Sequence, residues 1–193
     1  MSTPQATVKM TGGRLVTDLN TRYHRPALLF FLFIVVAHWA EHLVQAVQIW
    51  GLGWATPDAR GVLGMPFPWL VREEWLHYGY ALVMLAGLLL LRPGFVGEAR
   101  TWWNAALLIQ AWHHLEHFLL LVQAMTGSNL FNRPVPTSVI QLVVPRVELH
   151  LLYNAIVFLP MIVAMYLHRR PRREDLSRVT CYCAPLTSGA KGS

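Results

Sequence analysis

Two apolar segments of the sequence each carry a glutamate between two histidines, and the spacing is the same in both. The motifs are His38-x-x-Glu41-His42 and His113-x-x-Glu116-His117. In a helix, positions i, i+3 and i+4 lie on one face, so each motif presents two imidazoles and one carboxylate side by side. Imidazole and carboxylate together suit iron, zinc, manganese or copper. Each motif therefore predicts a metal site.

Two further apolar segments carry a second repeated pattern, in which a tyrosine follows a histidine by three residues. These motifs are His77-x-x-Tyr80 and His150-x-x-Tyr153. Helical bundles build dimetal centres from histidines and carboxylates on facing helices. The predicted ligands to two metal ions are His38, Glu41, His42, His77, His113, Glu116, His117 and His150. Tyr80 and Tyr153 are predicted to orient ligands or to take part in redox chemistry.

The elements that must position these residues are long apolar segments. Hydrophobic residues make up 54% of the 193 residues and charged residues 13%, about half the charged share of soluble domains. This composition excludes a soluble globule and a disordered chain. The four segments are long enough to cross a bilayer, which takes about 20 helical residues. They span residues 27–50, 74–91, 102–125 and 145–167.

The order of the motifs indicates an internal duplication. The first and third segments share one motif, and the second and fourth share the other. We expect an all-α integral membrane bundle of four transmembrane helices, built from two tandem hairpins with pseudo-two-fold symmetry. A segment at 1–26 precedes this 27–168 domain, and a basic, disordered tail at 169–193 follows it, with Ser188 to Ser193 at its end.

The basic residues predict the orientation of the chain. Of the 16 Lys and Arg residues, most lie at the two ends of the chain and in the turn near residues 93–101. The positive-inside rule places both termini in the cytoplasm of a bacterial-type plasma membrane. The six motif histidines then fall in the outer half of the bilayer. The positive charge is expected to contact anionic lipid, and no nucleic-acid partner is expected.

The histidine spacing resembles the histidine boxes of integral-membrane diiron desaturases and fatty-acid hydroxylases. The matching residues are His38-x-x-x-His42 and His113-His114-x-x-His117. The resemblance implies two iron ions that activate oxygen on an acyl chain. This sequence departs from the family by carrying a glutamate in each cluster and by placing the site on the outer side.

The expected function is a dimetal oxidoreductase that acts on a lipophilic small molecule and takes electrons from a donor protein. Glu41 and Glu116 would bridge the metals and accept protons, and Tyr80 or Tyr153 would relay electrons. One alternative is an electron-transfer subunit with copper or a bis-histidine haem, and a second is a metal-ion or proton transporter. A metal-free alternative is a polar seam of hydrogen bonds between helices.

The other histidines and the two cysteines receive lesser roles. His114 points away from the ligand face of its helix, while His24 and His168 are expected at the inner membrane boundary. Cys181-x-Cys183 is a single short motif, and the sequence assigns it no role.

Overall fold

The computed structural model describes residues 5–183, with side chains from residue 12 onward. Within this range the chain is helical and contains no strand. The helices are α1 (Gln5–Asn20), α2 (His24–Ala46), α3 (Trp69–Arg72), α4 (Glu74–Leu91), α5 (Gly97–Thr126) and α6 (Arg146–His168).

Four helical segments are long and apolar enough to cross a membrane, which confirms the prediction of an all-helical chain with four such segments. They run from His24 to Gly51, Glu74 to Gly94, Gly97 to Thr126 and Arg146 to His168. The first consists of α2 and a π-helical turn, Val47–Gly51. The predicted segment 74–91 has the same bounds as α4, whereas α5 begins five residues before its predicted start.

The four long helices pack in a closed ring. Helix α4 contacts α2 and α5, and α6 contacts α5 and α2, as in an up-and-down four-helix bundle. Successive helices therefore run in opposite directions. Residues 52–68 and 127–145 connect helices at one end of the bundle, here called the loop end. The start of α2, the turn after α4 and the end of α6 lie at the other, here called the termini end.

A close-packed apolar layer fills the half of the bundle nearer the termini end. Trp103 is fully buried there, donates a hydrogen bond from Nε1 to the Leu88 carbonyl at 2.8 Å, and stacks on Phe95 at 4.1 Å. Large apolar side chains such as Phe33 and Leu108 are exposed on the outside of the ring. A helical bundle that contacts lipid needs apolar side chains both in its core and on its outer surface.

Both ends of the described chain are structured, which the sequence did not predict. The predicted N-terminal segment contains α1, which ends at Asn20. The Nδ2 of Asn20 donates a hydrogen bond to Leu90 O at 2.8 Å, and its Oδ1 accepts one from Gly94 N at 2.9 Å. Residues 169–183, the described part of the tail that the sequence predicts to be disordered, pack back on the bundle, where Asp175 and Cys181 are buried. Both features depend on long-range contacts that local sequence patterns do not carry. Ser188 to Ser193 lie outside the described residues.

Candidate metal centre

Six histidines from four helices meet inside the bundle toward the loop end. They are His38, His42, His77, His113, His117 and His150. His150 of α6 lies in the middle of this group, which we call the six-histidine cluster. Its ring centroid is 5.1 Å from that of His42, 5.4 Å from His117, 5.8 Å from His113 and 6.3 Å from His77. The histidines come from the two motifs on α2 and α5 and from the single positions on α4 and α6.

The two histidines of each glutamate-containing motif face each other through their Nε2 atoms. The Nε2–Nε2 distance is 3.0 Å between His38 and His42 and 3.2 Å between His113 and His117. Two imidazoles on one cation, each with a bond of about 2.0–2.1 Å, place their nitrogens roughly 2.9–3.4 Å apart. Both pairs already have this separation.

Three rings of the cluster are oriented by hydrogen bonds from Nδ1 to oxygen atoms of their own helices. The acceptors are Gln45 Oε1 for His42 at 2.8 Å, Glu73 O for His77 at 3.1 Å and Arg146 O for His150 at 2.8 Å. A neutral ring that donates from Nδ1 keeps a lone pair on Nε2, as metal-bound histidines do. Nε2 of His150 is buried and has no hydrogen-bond partner among the described residues.

Glu41, a predicted ligand and catalytic residue, lies with its carboxylate against the first connecting loop. Its oxygens accept hydrogen bonds from the backbone nitrogens of Val62 at 2.7 Å and Leu63 at 3.1 Å. Gly61, with φ +73°, lies directly against the carboxylate, where a Cβ would overlap it. Glu41 therefore anchors the loop, and its carboxylate forms no hydrogen bond or ion pair with a cluster histidine.

Glu116 anchors the second connecting loop with one oxygen and leaves the other free. Oε1 accepts hydrogen bonds from Ile140 N and Ser138 Oγ, both at 3.1 Å. Oε2 is buried without a hydrogen-bond partner among the described residues, and it lies 4.0 Å from His113 Nδ1. Glu116 thus lies beside the cluster, at a position from which it can orient His113.

The two predicted tyrosines lie against the inner side of the cluster. The Tyr80 ring stacks on His38 at 3.6 Å, and the Tyr153 ring stacks on His113 at 4.0 Å. Both hydroxyls are buried without a hydrogen-bond partner among the described residues. They border a void of about 20 Å³, which is large enough for roughly one water molecule.

Two glutamines hold the same loops as the glutamates. Gln48 Oε1 accepts from Gly61 N at 2.9 Å, and its Nε2 donates to Gly61 O at 3.4 Å. Gln123 makes the same pair of bonds with Thr137, at 3.2 and 2.9 Å. The amide side chains therefore fix the loops that cover the cluster.

A cavity of about 290 Å³ opens over the cluster at the loop end. Its lining includes His42, His77 and His150 together with three arginines, Arg60, Arg72 and Arg146. Arg146 forms a bidentate ion pair with Glu74, at 2.6 and 2.8 Å. The sequence motifs did not include these arginines, although Arg146 precedes His150 by four residues and so shares its helix face.

The remaining histidines lie away from the cluster. The ring centroid of His114 lies 5.0 Å from that of Tyr78, in keeping with its different helix face. His24 and His168 lie at the termini end.

Comparisons with protein families, curated proteins and solved structures find no match for this chain.

Proposed function

We propose that the protein is an integral membrane oxidoreductase in which the six-histidine cluster holds two metal ions, with iron as the first expectation. The observation that carries the proposal is the meeting of six imidazoles from four separate apolar helices. Buried polar side chains in membrane helices are costly and are retained mostly for function. A structural seam needs only pairs of hydrogen-bonding residues, whereas this cluster leaves a central nitrogen without a partner.

The paired Nε2 distances support two ions rather than one. His38 and His42 form one pair on α2, and His113 and His117 form the other on α5. His77 and His150 add one imidazole each from α4 and α6. Because Glu41 and Glu116 bind the loops, the proposed metal ligands are mostly imidazole nitrogens. Such a set also suits copper, which is the second candidate metal.

Recurring contacts support the proposed internal duplication and its pseudo-two-fold arrangement. Each half pairs two histidines through Nε2, stacks one of them on a tyrosine, anchors a loop by a glutamate and fixes that loop by a glutamine. The second-half residue follows its counterpart by 75 positions for the motifs of α2 and α5 and by 73 for those of α4 and α6. An ancestral hairpin with one metal-binding half-site accounts for this repetition.

The lining of the cavity supports a proposal for the class of substrate. It lies between the lipid-facing bundle and the loops, and three arginines line it beside three cluster histidines. We propose a lipophilic substrate with an acidic head group, which Arg60 and Arg72 would hold by charge-assisted hydrogen bonds, because Arg146 is already paired with Glu74. Bound metal would supply the redox chemistry, and an electron-donor protein would supply electrons. Tyr80 and Tyr153 would carry electrons or protons at the inner side of the cluster.

Metal analysis of detergent-purified protein tests the proposal. Protein prepared without reductant should contain about two iron or copper ions per chain, and His150→Ala should contain about one or fewer. His114→Ala is the matched control, because this neighbouring histidine lies outside the cluster and should leave the metal content unchanged. Helical content and elution volume establish that each variant is folded.

Three outcomes would contradict the proposal. The first is wild-type protein that contains no transition metal. The second is an equal loss of metal in His150→Ala and His114→Ala. The third is a haem absorption band that accounts for all the iron, which would favour the haem alternative.

A further inference from the structure

A second cluster of metal-binding side chains lies at the termini end of the bundle. It combines His24, His168, Cys181 and Cys183, whose ligand atoms all lie within 4.8 Å of one another. His24 begins α2 and His168 ends α6. Along α6, His168 is 18 residues from His150, a distance of about 27 Å. This cluster is therefore separate from the six-histidine cluster, and the apolar layer around Trp103 lies between them.

The two histidines, which the sequence predicts to lie at the inner membrane boundary, are buried within the fold. The exposed fraction is 0% for His24, 3% for His168 and 6% for Cys181. The burial arises because residues 169–183 fold over the helix ends. Burying a polar imidazole is costly unless its ring nitrogens bind a hydrogen-bond partner or a metal ion.

His24 is held with one ring nitrogen free to bind a metal. Its Nε2 donates a hydrogen bond to Leu91 O at 3.2 Å, and its Nδ1 faces Cys183 Sγ at 3.5 Å. Gly94 lies against the ring, where any Cβ would overlap the imidazole. Asn20 Oδ1 accepts a hydrogen bond from Gly94 N and so fixes this close approach. A carbonyl that orients the far side of a histidine is typical of metal sites.

The tail is fixed in a path that brings both sulfurs to the histidines. Asp175 is buried against Gly97 and forms an ion pair with Arg178 at 3.3 Å. Tyr182 N donates a hydrogen bond to Thr21 O at 3.4 Å. His168 Nε2 then lies 3.4 Å from Cys181 Sγ and 2.9 Å from Cys183 Sγ.

We propose that the dithiol form of this cluster binds one zinc ion through His24, His168, Cys181 and Cys183. In the structure the two cysteines form a disulfide. A cellular dithiol would reduce it by thiol–disulfide exchange, giving two electrons and two protons and becoming a disulfide itself. Zinc binding would then release the two thiol protons to water. The predicted cytoplasmic position of this end provides such a reductant.

The donor set and its spacing fit zinc. Two thiolates and two neutral imidazoles around Zn²⁺ have no net charge, which suits a buried site beside a membrane. In a tetrahedral site with Zn–N near 2.05 Å and Zn–S near 2.3 Å, nitrogen and sulfur lie about 3.6 Å apart. Two of the three nitrogen–sulfur distances are close to this value, at 3.5 Å from His24 to Cys183 and 3.4 Å from His168 to Cys181. The third, from His168 to Cys183, is 2.9 Å and would lengthen when reduction of the disulfide separates the two sulfurs. The ion would link the start of α2, the end of α6 and the tail.

Cobalt substitution in the full-length, detergent-purified protein tests this site. After reduction with a phosphine, addition of Co²⁺ should produce the near-ultraviolet charge-transfer band of a thiolate–cobalt bond, and Zn²⁺ should then abolish it. The Cys181→Ser and Cys183→Ser double variant should lose the band. Tyr182→Phe is the matched control, because this exposed residue lies between the cysteines and should leave the band unchanged.

The test separates this site from the six-histidine cluster. His150→Ala should keep the full thiolate–cobalt band even if it loses the metal of the other cluster. The zinc proposal is overturned if reduced wild-type protein with two reactive thiols shows no band. It is also overturned if His168→Ala gives the same band and the same Co²⁺ affinity as wild type, because the imidazole would then not be a ligand.

Discussion

At the scale of single residues, the histidine and tyrosine positions could be predicted from spacing, whereas the glutamate contacts could not. Histidines at i and i+4 share a helix face whatever the rest of the fold does. Glu41 lies on the same face, yet its carboxylate contacts Val62 and Leu63. The path of that loop depends on tertiary contacts over about 20 residues, and no local pattern encodes it.

The two glutamates should differ in their effect on metal binding. Glu116→Gln should weaken metal affinity by about 10–100-fold, because the buried Oε2 lies beside His113 and a charged group that orients a ligand has effects of this size. Glu41→Gln should leave metal affinity within a few-fold of wild type and should speed amide exchange at residues 61–63, whose loop it anchors. Metal titration and hydrogen exchange measure the two effects.

Equal losses of metal affinity in the two glutamate variants would contradict this assignment. Both carboxylates would then be ligands or would orient ligands, as the sequence motif alone predicts.

At the scale of elements, apolar length predicts four spans, and the structure has four helices of that kind. The prediction worked because a bilayer demands long, internally hydrogen-bonded segments. Apolar length does not predict α1, whose end is fixed by contacts with Leu90 and Gly94. Long-range contacts of the same kind bring Cys181 and Cys183 to histidines from α2 and α6, and apolar length does not predict them either.

Helix α4 contains two glycines that should respond differently to substitution. At Gly87 an added Cβ would overlap the buried ring of Phe31, whereas at Gly79 it would meet nothing within 4 Å. Overpacking lowers the free energy of unfolding by about 1–3 kcal/mol. The higher helix propensity of alanine raises it by roughly 1 kcal/mol. Gly87→Ala should therefore lower the unfolding midpoint in detergent, and Gly79→Ala should leave it unchanged or raise it. The reverse order would show that α2 and α4 do not approach closely at Phe31.

At the scale of the whole molecule, two groups of side chains of the kinds that bind metal ions lie at opposite ends of one bundle, with an apolar layer between them. The group at the loop end is rich in nitrogen, is open to a cavity with three arginines and lies within the four long helices. The group at the termini end combines nitrogen with sulfur and is closed by the tail. The first arrangement suits chemistry on a bound molecule, and the second suits a structural ion that can respond to thiol redox state.

X-ray absorption at the metal edge of the purified protein tests the central claim most directly. The Cys181→Ser and Cys183→Ser background removes both cysteines of the sequence. The account predicts a nitrogen- and oxygen-only nearest shell at about 2.0–2.2 Å, with outer-shell scattering from roughly three imidazoles per metal. A spectrum with a haem signature, with one imidazole or none per metal, or with no metal edge at all would contradict it.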